Sequence, residues 1–216
     1  KRFTAPSYAP DIKEEIYGSA KAALFREALD LLDRALPGRG RLLDVGCGGG
    51  ELLRAAAERG WEAEGVEIEP ALAVKALAHG FEVYPKHVEE AGLKGGAYAA
   101  VTVFEVFSLM EKPAAAAAEL LRVMKPGGAV YIRDFNAAFH LLLLRLDKTG
   151  LFRLLGARPY IIHNFNFRAK TLSSLLERAG FRAIKIRNSR PTSGDPYRTG
   201  GRLGRFLTGA FKVLYY

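Results

Sequence analysis

Short apolar runs alternate along the chain with longer segments in which apolar residues recur at helical spacing. The runs predict strands over residues 41–45, 61–66, 81–84, 98–104, 129–133 and 181–187. The helically spaced segments predict helices over residues 11–36, 51–59, 70–79, 113–124 and 171–179. Strands that alternate with helices of this length imply parallel crossover connections. The pattern therefore predicts an α/β fold with a doubly wound, mostly parallel sheet that helices cover on both faces.

The composition is that of a globular protein, but the charge is unevenly distributed. Of the 216 residues, 49% are hydrophobic and 25% are charged, which excludes a disordered, collagen-like or coiled-coil chain. The net charge is +9, and residues 133–216 carry 16 basic but only 4 acidic side chains. This part of the chain is predicted to face an anionic partner, whether a substrate, a membrane surface or a nucleic acid.

The cysteine content and the apolar runs bear on the cellular compartment. A single cysteine, Cys47, excludes an intrachain disulfide and indicates a reducing interior. The longest aliphatic run, residues 141–144, ends at Arg145 and is far shorter than the roughly 20 apolar residues of a membrane-spanning helix. The first residues lack the apolar core of a signal peptide. We therefore expect a cytoplasmic protein.

A glycine-rich turn, Gly46–Gly50, joins the first predicted strand to the following helix. Such a turn lets a ligand approach the backbone closely, as dinucleotides and S-adenosylmethionine do. In the dinucleotide fingerprint the third glycine would stand where this chain has Glu51, whose charge would repel a pyrophosphate. S-adenosylmethionine carries a sulfonium and an ammonium instead. Asp44 can pair with that ammonium, and Glu67, which ends the second strand, can accept hydrogen bonds from both ribose hydroxyls.

Three stretches of sequence carry a family resemblance. Leu43–Gly50 resembles the first motif of class I S-adenosylmethionine-dependent methyltransferases, Gly65–Ile68 their second-strand acid motif, and Leu120–Gly128 their turn into strand five. The likeness is closest to the small-molecule group that contains quinone-biosynthesis methyltransferases. It implies a Rossmann-like methyltransferase fold, S-adenosyl-L-methionine as cofactor, and methyl transfer to oxygen or nitrogen of a small or lipid-like acceptor.

The resemblance also implies a set of cofactor-binding residues. Three glycines shape the loop, Asp44 and Glu67 hold the methionine and ribose ends, and Ile68 lines the adenine. The full set is Asp44, Gly46, Cys47, Gly48, Gly50, Glu67, Ile68, His87, Val88 and Phe104. The chain departs from the family after strand three, where His87 or the Val88 backbone replaces the usual acid, and after strand four, where Ser108-Leu109 replaces the usual Glu-His.

The remaining segments complete the predicted organisation of one domain. Residues 1–37 are predicted to form an N-terminal helical lid and residues 38–134 the cofactor-binding core. Residues 135–168, rich in aromatic and basic side chains without a strand period, are predicted to be an insertion after strand five on the substrate side. Residues 169–216 supply a last helix–strand unit and a basic tail, whose apolar spacing over 203–214 predicts a C-terminal amphipathic helix.

No motif fixes a general base. The candidates are Glu105, just past strand four, and His140 and His163 in the insertion. Candidate substrate contacts are Asp134 and Asn136 after strand five, and Tyr8 and Tyr17 in the lid. The histidines, the cysteine and the carboxylates show no metal-ligand spacing, so we expect no metal site.

The basic tail and the function each leave alternatives open. Arg202, Arg205 and Lys212 suit either a helix docked on the sheet or one that lies on an anionic membrane. Nucleic acid is less favoured because no recognisable nucleic-acid module is visible. The alternative functions are an RNA methyltransferase and a non-catalytic cofactor-binding or scaffold protein on a degenerate methyltransferase fold. The sequence does not fix the oligomeric state.

Overall fold

The computed structural model of the chain describes residues 10–148, 150 and 163–188. Five strands lie in one parallel sheet, in the order β3-β2-β1-β4-β5. Their bounds are β1 (Arg41–Val45), β2 (Glu62–Val66), β3 (Glu82–Tyr84), β4 (Tyr98–Phe104) and β5 (Met124–Arg133). The helices are α1 (Pro10–Ala35), α2 (Glu51–Ala57), α3 (Pro70–Ala78), α4 (Pro113–Val123), α5 (Ala137–Asp147) and α6 (Ala169–Ala179). Two 3-10 turns follow β3 and β4, at Val88–Glu90 and Phe107–Leu109.

Alternate residues of the central strands enter separate hydrophobic clusters on the two faces of the sheet. Leu43 and Val101 pack in a cluster with α4 and α6. Their neighbours Leu42 and Ala100 pack with α1 and α2. Because successive side chains of a strand point to opposite faces, helices cover both sides. The predicted doubly wound α/β fold is confirmed, and the sheet is parallel throughout the described residues.

The strand order locates the ligand-binding edge. From β1 the chain builds outward to β2 and β3 on one side, then returns to place β4 on the other side of β1. The connections after β1 and β4 therefore leave in opposite directions and open a crevice at the carboxyl ends of these two strands. Ligands of open α/β sheets bind at such a switch point.

The predicted sixth strand is wrong. Residues 181–187 carry no strand in the structure, and β5 is the last strand of the described sheet on that side. Phe181 is buried in the core, but the segment then turns at Ala183, whose φ of +53° lies in the left-handed region. An extended strand needs a negative φ, so this residue interrupts the predicted run.

The connection into the fifth strand differs from the prediction in detail. The strand begins at Met124, which pairs with Tyr98, and the ladder resumes only where Ala129 pairs with Ala100. Residues 125–128 therefore bulge out of the ladder, where a turn was predicted before a strand starting at residue 129. Farther along, the insertion contains a helix, α5, that the sequence pattern did not predict.

Polar contacts attach α1 to the rest of the fold through Asp33. Its carboxylate accepts hydrogen bonds from the buried indole Nε1 of Trp61 at 2.9 Å and from Arg59 at 3.0 Å. Arg59 also bonds Asp30, but the Asp30 side chain is half exposed. Asp33 is therefore the acceptor that satisfies a buried donor, whereas Asp30 belongs to a surface ion pair.

We expect Asp33→Ala to lower the free energy of unfolding by about 1–3 kcal/mol, because it leaves the Trp61 indole N–H without this acceptor. Asp30→Ala is the matched control, and a surface pair of this kind contributes less than about 1 kcal/mol. Thermal unfolding followed by the fluorescence of Trp61, the chain's single tryptophan, measures both. Equal effects of the two variants would contradict the assignment of Asp33 as the acceptor for the buried Trp61 donor.

Candidate functional site

The glycine turn after β1 has a backbone that only glycine adopts easily. Gly46 has φ +80° and Gly48 has φ +58°. A Cβ built on Gly46 would lie 2.8 Å from Cγ1 of Val106, the residue that follows β4 by two positions. Gly50, with φ +89°, is the N-cap of α2. The turn therefore packs directly against the segment after β4 and presents bare backbone at the switch point.

Glu67 holds this turn from the neighbouring strand. Its Oε2 accepts a hydrogen bond from the Gly48 N–H at 2.9 Å, and its Oε1 accepts one from the Glu69 N–H at 2.8 Å. The residue is only 8% exposed. Each carboxylate oxygen has two lone pairs, so each can accept one more hydrogen bond from a ligand hydroxyl. The carboxylate thus shapes the turn and remains able to receive a pair of hydroxyls.

Asp44 is a buried carboxylate near the end of β1. Its Oδ1 accepts a hydrogen bond from Thr102 Oγ1 at 2.7 Å, and Thr102 is its register partner on β4. Burial raises the pKa of Asp44 to about 7, the Thr102 hydrogen bond opposes that rise, and the charge of Glu67 adds to it. The charge of Lys21 in α1 lowers the pKa, and that of Glu51 raises it.

Glu51 adds a third acid to the turn. A Cβ built on Gly49 would lie 2.9 Å from Glu51 Oε1, so this side chain folds over the glycines. Together, Asp44, Glu51 and Glu67 make the crevice acidic. An acidic crevice attracts a cationic ligand and repels a pyrophosphate, which agrees with the expectation from the sequence.

The other predicted cofactor residues fall into different environments. Ile68 is 59% exposed beside the Glu67 carboxylate and is free to line an apolar ring. His87 is exposed, whereas Val88 is buried and begins the 3-10 turn after β3. Phe104 packs edge-on against Phe25 of α1, with 5.0 Å between ring centroids.

The side chain of Cys47 packs in the hydrophobic core. It is buried in a cluster with residues of α2, α3 and β3. A Cβ built on Gly65 of β2 would lie 2.4 Å from the Cys47 Sγ. Only glycine at position 65 therefore leaves room for the thiol beside this strand. Burial raises the pKa of the Cys47 thiol, which keeps the sulfur neutral and unreactive. Only its backbone can serve the turn.

A second polar cluster lies at the same edge of the sheet, between β4 and β5. The Ser108 hydroxyl donates to Asp134 Oδ1 at 2.7 Å and lies 2.5 Å from His163 Nδ1. The Ser108 N–H donates to Asp134 Oδ2 at 2.6 Å, and the Phe135 N–H donates to Oδ1 at 2.7 Å. Ser108 is 2% exposed, and Phe135 packs against His163 with a centroid separation of 4.9 Å.

Glu105 and Asn136, two further candidates, are engaged in structural contacts. Glu105 directly follows β4 with a φ of +58°, and its carboxylate is ion-paired with the buried Arg133 guanidinium. Asn136 Oδ1 accepts a hydrogen bond from the Ala138 N–H at 3.0 Å at the start of α5. Tyr8 lies outside the described residues, as do the side chains of Tyr17 and His140.

Thr102, Ser108 and Arg133 are site residues that were missing from the predicted set. Thr102 is the one aliphatic hydroxyl within the apolar run of β4, and that polar residue next to an acid-bearing strand was the available signal. Ser108 was visible only as a departure from the family motif. Nothing in the sequence pattern indicated that His163, 55 positions away, would contact it.

In the part of the chain that the structure describes, no group of three or more His, Cys, Asp or Glu side chains has the arrangement of a metal site. Within the same residues, no helix has the length and hydropathy needed to cross a membrane.

Comparisons with known proteins agree with this geometry. A family model described as a methyltransferase domain matches residues 20–186. The chain is 35% identical over 138 residues to a ubiquinone biosynthesis O-methyltransferase of Hahella chejuensis, covering 60% of this chain and 54% of that protein. It is 36% identical over 129 residues to the enzyme of the same name from Alkalilimnicola ehrlichii, covering 56% and 49%. The chain thus spans about half the length of these curated relatives.

Solved structures show the same fold. A SAM-dependent methyltransferase of Archaeoglobus fulgidus superposes with a TM-score of 0.62 at 22% identity, covering 94% of this chain and 90% of that one. An N-methyltransferase of Haemonchus contortus, solved with S-adenosylhomocysteine, superposes with a TM-score of 0.56 at 19% identity, covering 77% and 39%.

The fold, the glycine turn and the family match define the class. The chain belongs to the methyltransferase domain family and has the fold of class I S-adenosylmethionine-dependent methyltransferases. The family match supports S-adenosyl-L-methionine, the predicted cofactor.

Proposed function

We propose that the protein transfers a methyl group from S-adenosyl-L-methionine to an oxygen of a small phenolic acceptor. The observation that carries the proposal is the Glu67 carboxylate, which holds the glycine turn and keeps lone pairs for two ribose hydroxyls. The cofactor supplies an electrophilic methyl group on a sulfonium. The chain's own residues bind both reactants, align them and exclude water.

The residues present fit this cofactor. Glycines at positive φ leave room for the methionine portion, and the acidic surroundings of Asp44 suit its ammonium and sulfonium charges. The exposed Ile68 side chain follows Glu67 directly and supports the adenine ring. The segment at His87 and Val88 closes the adenine side, with a backbone N–H or an imidazole where the family has an acid.

The N-terminal helix borders the same site, which supports the proposed lid. Lys21 of α1 lies close enough to Asp44 for its charge to lower the pKa of that carboxyl. Phe25, one turn later, packs on Phe104 at the end of β4. We propose that α1 closes the crevice over the cofactor and that the insertion supplies the acceptor side.

The proposed acceptor class rests on the relatives and on the second polar cluster. The curated relatives are named as O-methyltransferases of ubiquinone biosynthesis, which favours an oxygen of a small molecule over RNA. The cluster of Ser108, Asp134 and His163 contains a titratable group at the carboxyl edge of the sheet, which supports an acceptor site there. A phenol, with a pKa near that of tyrosine, about 10, gains from such a group because it must lose its proton on methylation.

Transfer of a labelled methyl group tests the proposal. The purified chain is incubated with [methyl-14C]S-adenosylmethionine and phenol, catechol or hydroquinone, and with a small-molecule cell extract, and products are identified by mass spectrometry. We expect an O-methylated product whose formation S-adenosylhomocysteine inhibits. Folded protein that binds the cofactor but labels no fraction would instead support the non-catalytic alternative, and label in RNA would support the RNA alternative.

Cofactor affinity is expected to depend on pH through Asp44. The carboxylate attracts an ammonium only when ionised, and its pKa is about 7 in the free protein. Below that pH, binding must release a proton, so affinity should rise with pH by up to about tenfold per unit until about pH 7. It should fall again only at alkaline pH, where the α-amino group of the ligand loses its proton. Glu67, Glu51 and Lys21 are the other charged groups that act on Asp44.

Calorimetric titration with S-adenosylhomocysteine across this pH range measures the effect. Asp44→Asn should bind more weakly and show no rise toward pH 7. Thr102→Val removes the hydrogen bond that lowers the pKa of Asp44 and should move the midpoint to higher pH. A wild-type affinity that does not change between about pH 5.5 and 7 would rule out this role of Asp44.

The proposed membrane contact stays a prediction from the sequence. Arg202, Arg205 and Lys212 lie outside the described residues, and so does the predicted tail helix. Liposome partitioning of Arg202→Glu/Arg205→Glu against the wild type addresses it: weaker binding to anionic vesicles supports the contact, and unchanged partitioning refutes it.

A further inference from the structure

The second polar cluster contains a hydrogen-bond chain with a defined direction. Both oxygens of Asp134 receive donors: the Ser108 N–H at Oδ2, and the Ser108 hydroxyl and the Phe135 N–H at Oδ1. Two of these donors are backbone N–H groups, which cannot reverse. An ionised carboxylate is an acceptor only, so the Ser108 hydroxyl proton points to Asp134.

This direction determines the tautomer of His163. The single hydroxyl proton of Ser108 is donated to Asp134 in a hydrogen bond. The Ser108 Oγ therefore offers a lone pair to His163 Nδ1, at 2.5 Å. Nδ1 must then carry the imidazole hydrogen. In a neutral imidazole the other nitrogen, Nε2, consequently holds the lone pair and is the basic site.

The cluster lies beside the cofactor turn. Val106, whose methyl groups would meet a Cβ on Gly46, precedes Ser108 by two residues, and Asp134 directly follows β5. The Phe165 N–H donates to the Ser108 carbonyl at 2.9 Å, which fixes the His163 segment to the end of β4. The imidazole therefore lies at the carboxyl edge of the sheet, where the acceptor must approach the methyl group.

We propose that Ser108 and Asp134 fix His163 as the Nδ1–H tautomer, so that Nε2 is the general base for the acceptor hydroxyl. The inference rests on the proposed function. As the acceptor oxygen forms its bond to the methyl carbon, the methyl–sulfur bond breaks and leaves its electron pair on sulfur. The hydroxyl proton passes to His163 Nε2 and then to solvent. Ser108 and Asp134 are positioning residues.

The surroundings of His163 keep the imidazole neutral at physiological pH. Burial lowers its pKa below the ordinary value of 6.5, while the charges of Asp134 and Glu105 raise it. The Phe135 ring packs against it, and Glu105 is itself ion-paired with Arg133. A base must be deprotonated to act, so turnover should fall as the pH drops through the imidazole pKa.

The tautomer can be measured without turnover. In protein labelled with 15N at the histidine rings, long-range 1H–15N spectra distinguish Nδ1–H from Nε2–H, and His163→Gln identifies the signals by their loss. We expect His163 in the wild-type chain with S-adenosylhomocysteine to be the Nδ1–H form, and Ser108→Ala to lose that preference. Ser173→Ala, which removes an exposed hydroxyl of α6, is the matched control and should change nothing. A wild-type Nε2–H form would overturn the inference.

Turnover provides the second readout, with catechol as acceptor. At saturating S-adenosylmethionine, we expect His163→Gln to lower kcat by about 100-fold or more and to abolish the acidic limb of the pH profile of kcat. The S-adenosylhomocysteine Kd should stay within about twofold of the wild-type value. Ser108→Ala should lower kcat less and shift that limb. Wild-type kcat and pH profile in His163→Gln would refute the base while leaving the proposed function standing. Absence of transfer by the wild type would count against the proposed function, and the tautomer spectra would still decide the arrangement of His163.

Discussion

Glu67→Ala is expected to weaken S-adenosylhomocysteine binding by at least about 100-fold, because it removes two charge-assisted acceptors that each contribute about 1.5–3 kcal/mol. The loss has two parts. The ribose hydroxyls lose their acceptor, and the Gly48 and Glu69 N–H groups lose theirs, so the turn itself loosens. Titration calorimetry gives the affinity, and thermal unfolding gives the effect on the free protein.

Glu67→Gln should be nearly as damaging, although it preserves the shape. Both carboxylate oxygens accept hydrogen bonds from backbone N–H groups. The amide of glutamine would have to turn its NH2 group toward one of these N–H donors, and that hydrogen bond would be lost. Glu69→Ala is the matched control, since that side chain is exposed and only its backbone N–H takes part. Wild-type affinity in Glu67→Gln would contradict the proposed role, as would a comparable loss in Glu69→Ala.

Gly46→Ala is expected to have the second large effect, on stability and on transfer together. A residue with a Cβ at φ +80° costs about 1–2 kcal/mol, and the clash at 2.8 Å with Val106 adds about 1–3 kcal/mol of overpacking. The turn must shift to relieve the clash. A displacement of about 1 Å at a reacting centre is enough to lower the transfer rate by about 100-fold.

Two further variants separate the causes. Gly80 has a similar φ, +85°, but a Cβ there would meet nothing within 4 Å, so Gly80→Ala reports backbone strain alone. Val106→Ala removes the methyl groups that clash and should restore part of the stability and activity of Gly46→Ala. Equal destabilisation by Gly46→Ala and Gly80→Ala, with no rescue by Val106→Ala, would show that the close packing of the turn has no effect.

The sequence predicts the cofactor half of the fold well because its elements are determined locally. Hydrophobic periodicity and glycine stops locate β1 to β4 and their helices to within a few residues. The glycine turn and Glu67 follow each other at fixed spacing, so the sequence alone predicts the cofactor class. Where the predictions fail, the cause is nonlocal or conformational.

The substrate side shows these limits. The pattern over 181–187 resembles a strand, but Ala183 has a positive φ, which an alanine in the sequence does not predict. The pairing of Ser108 with Asp134 and His163 joins the ends of β4 and β5 to the insertion, which only tertiary packing brings together. The sequence predicts that Asp44 pairs with the cofactor ammonium, but it does not reveal the burial that raises the pKa of this carboxyl or the Thr102 hydrogen bond that opposes the rise.

A crystal structure of the chain with S-adenosylhomocysteine is the most direct measurement of the central claim. We predict that both ribose hydroxyls donate to Glu67, that the amino group lies against Asp44, and that the glycine turn keeps its present φ angles. A cofactor bound elsewhere, or one whose ribose makes no contact with Glu67, would contradict the account.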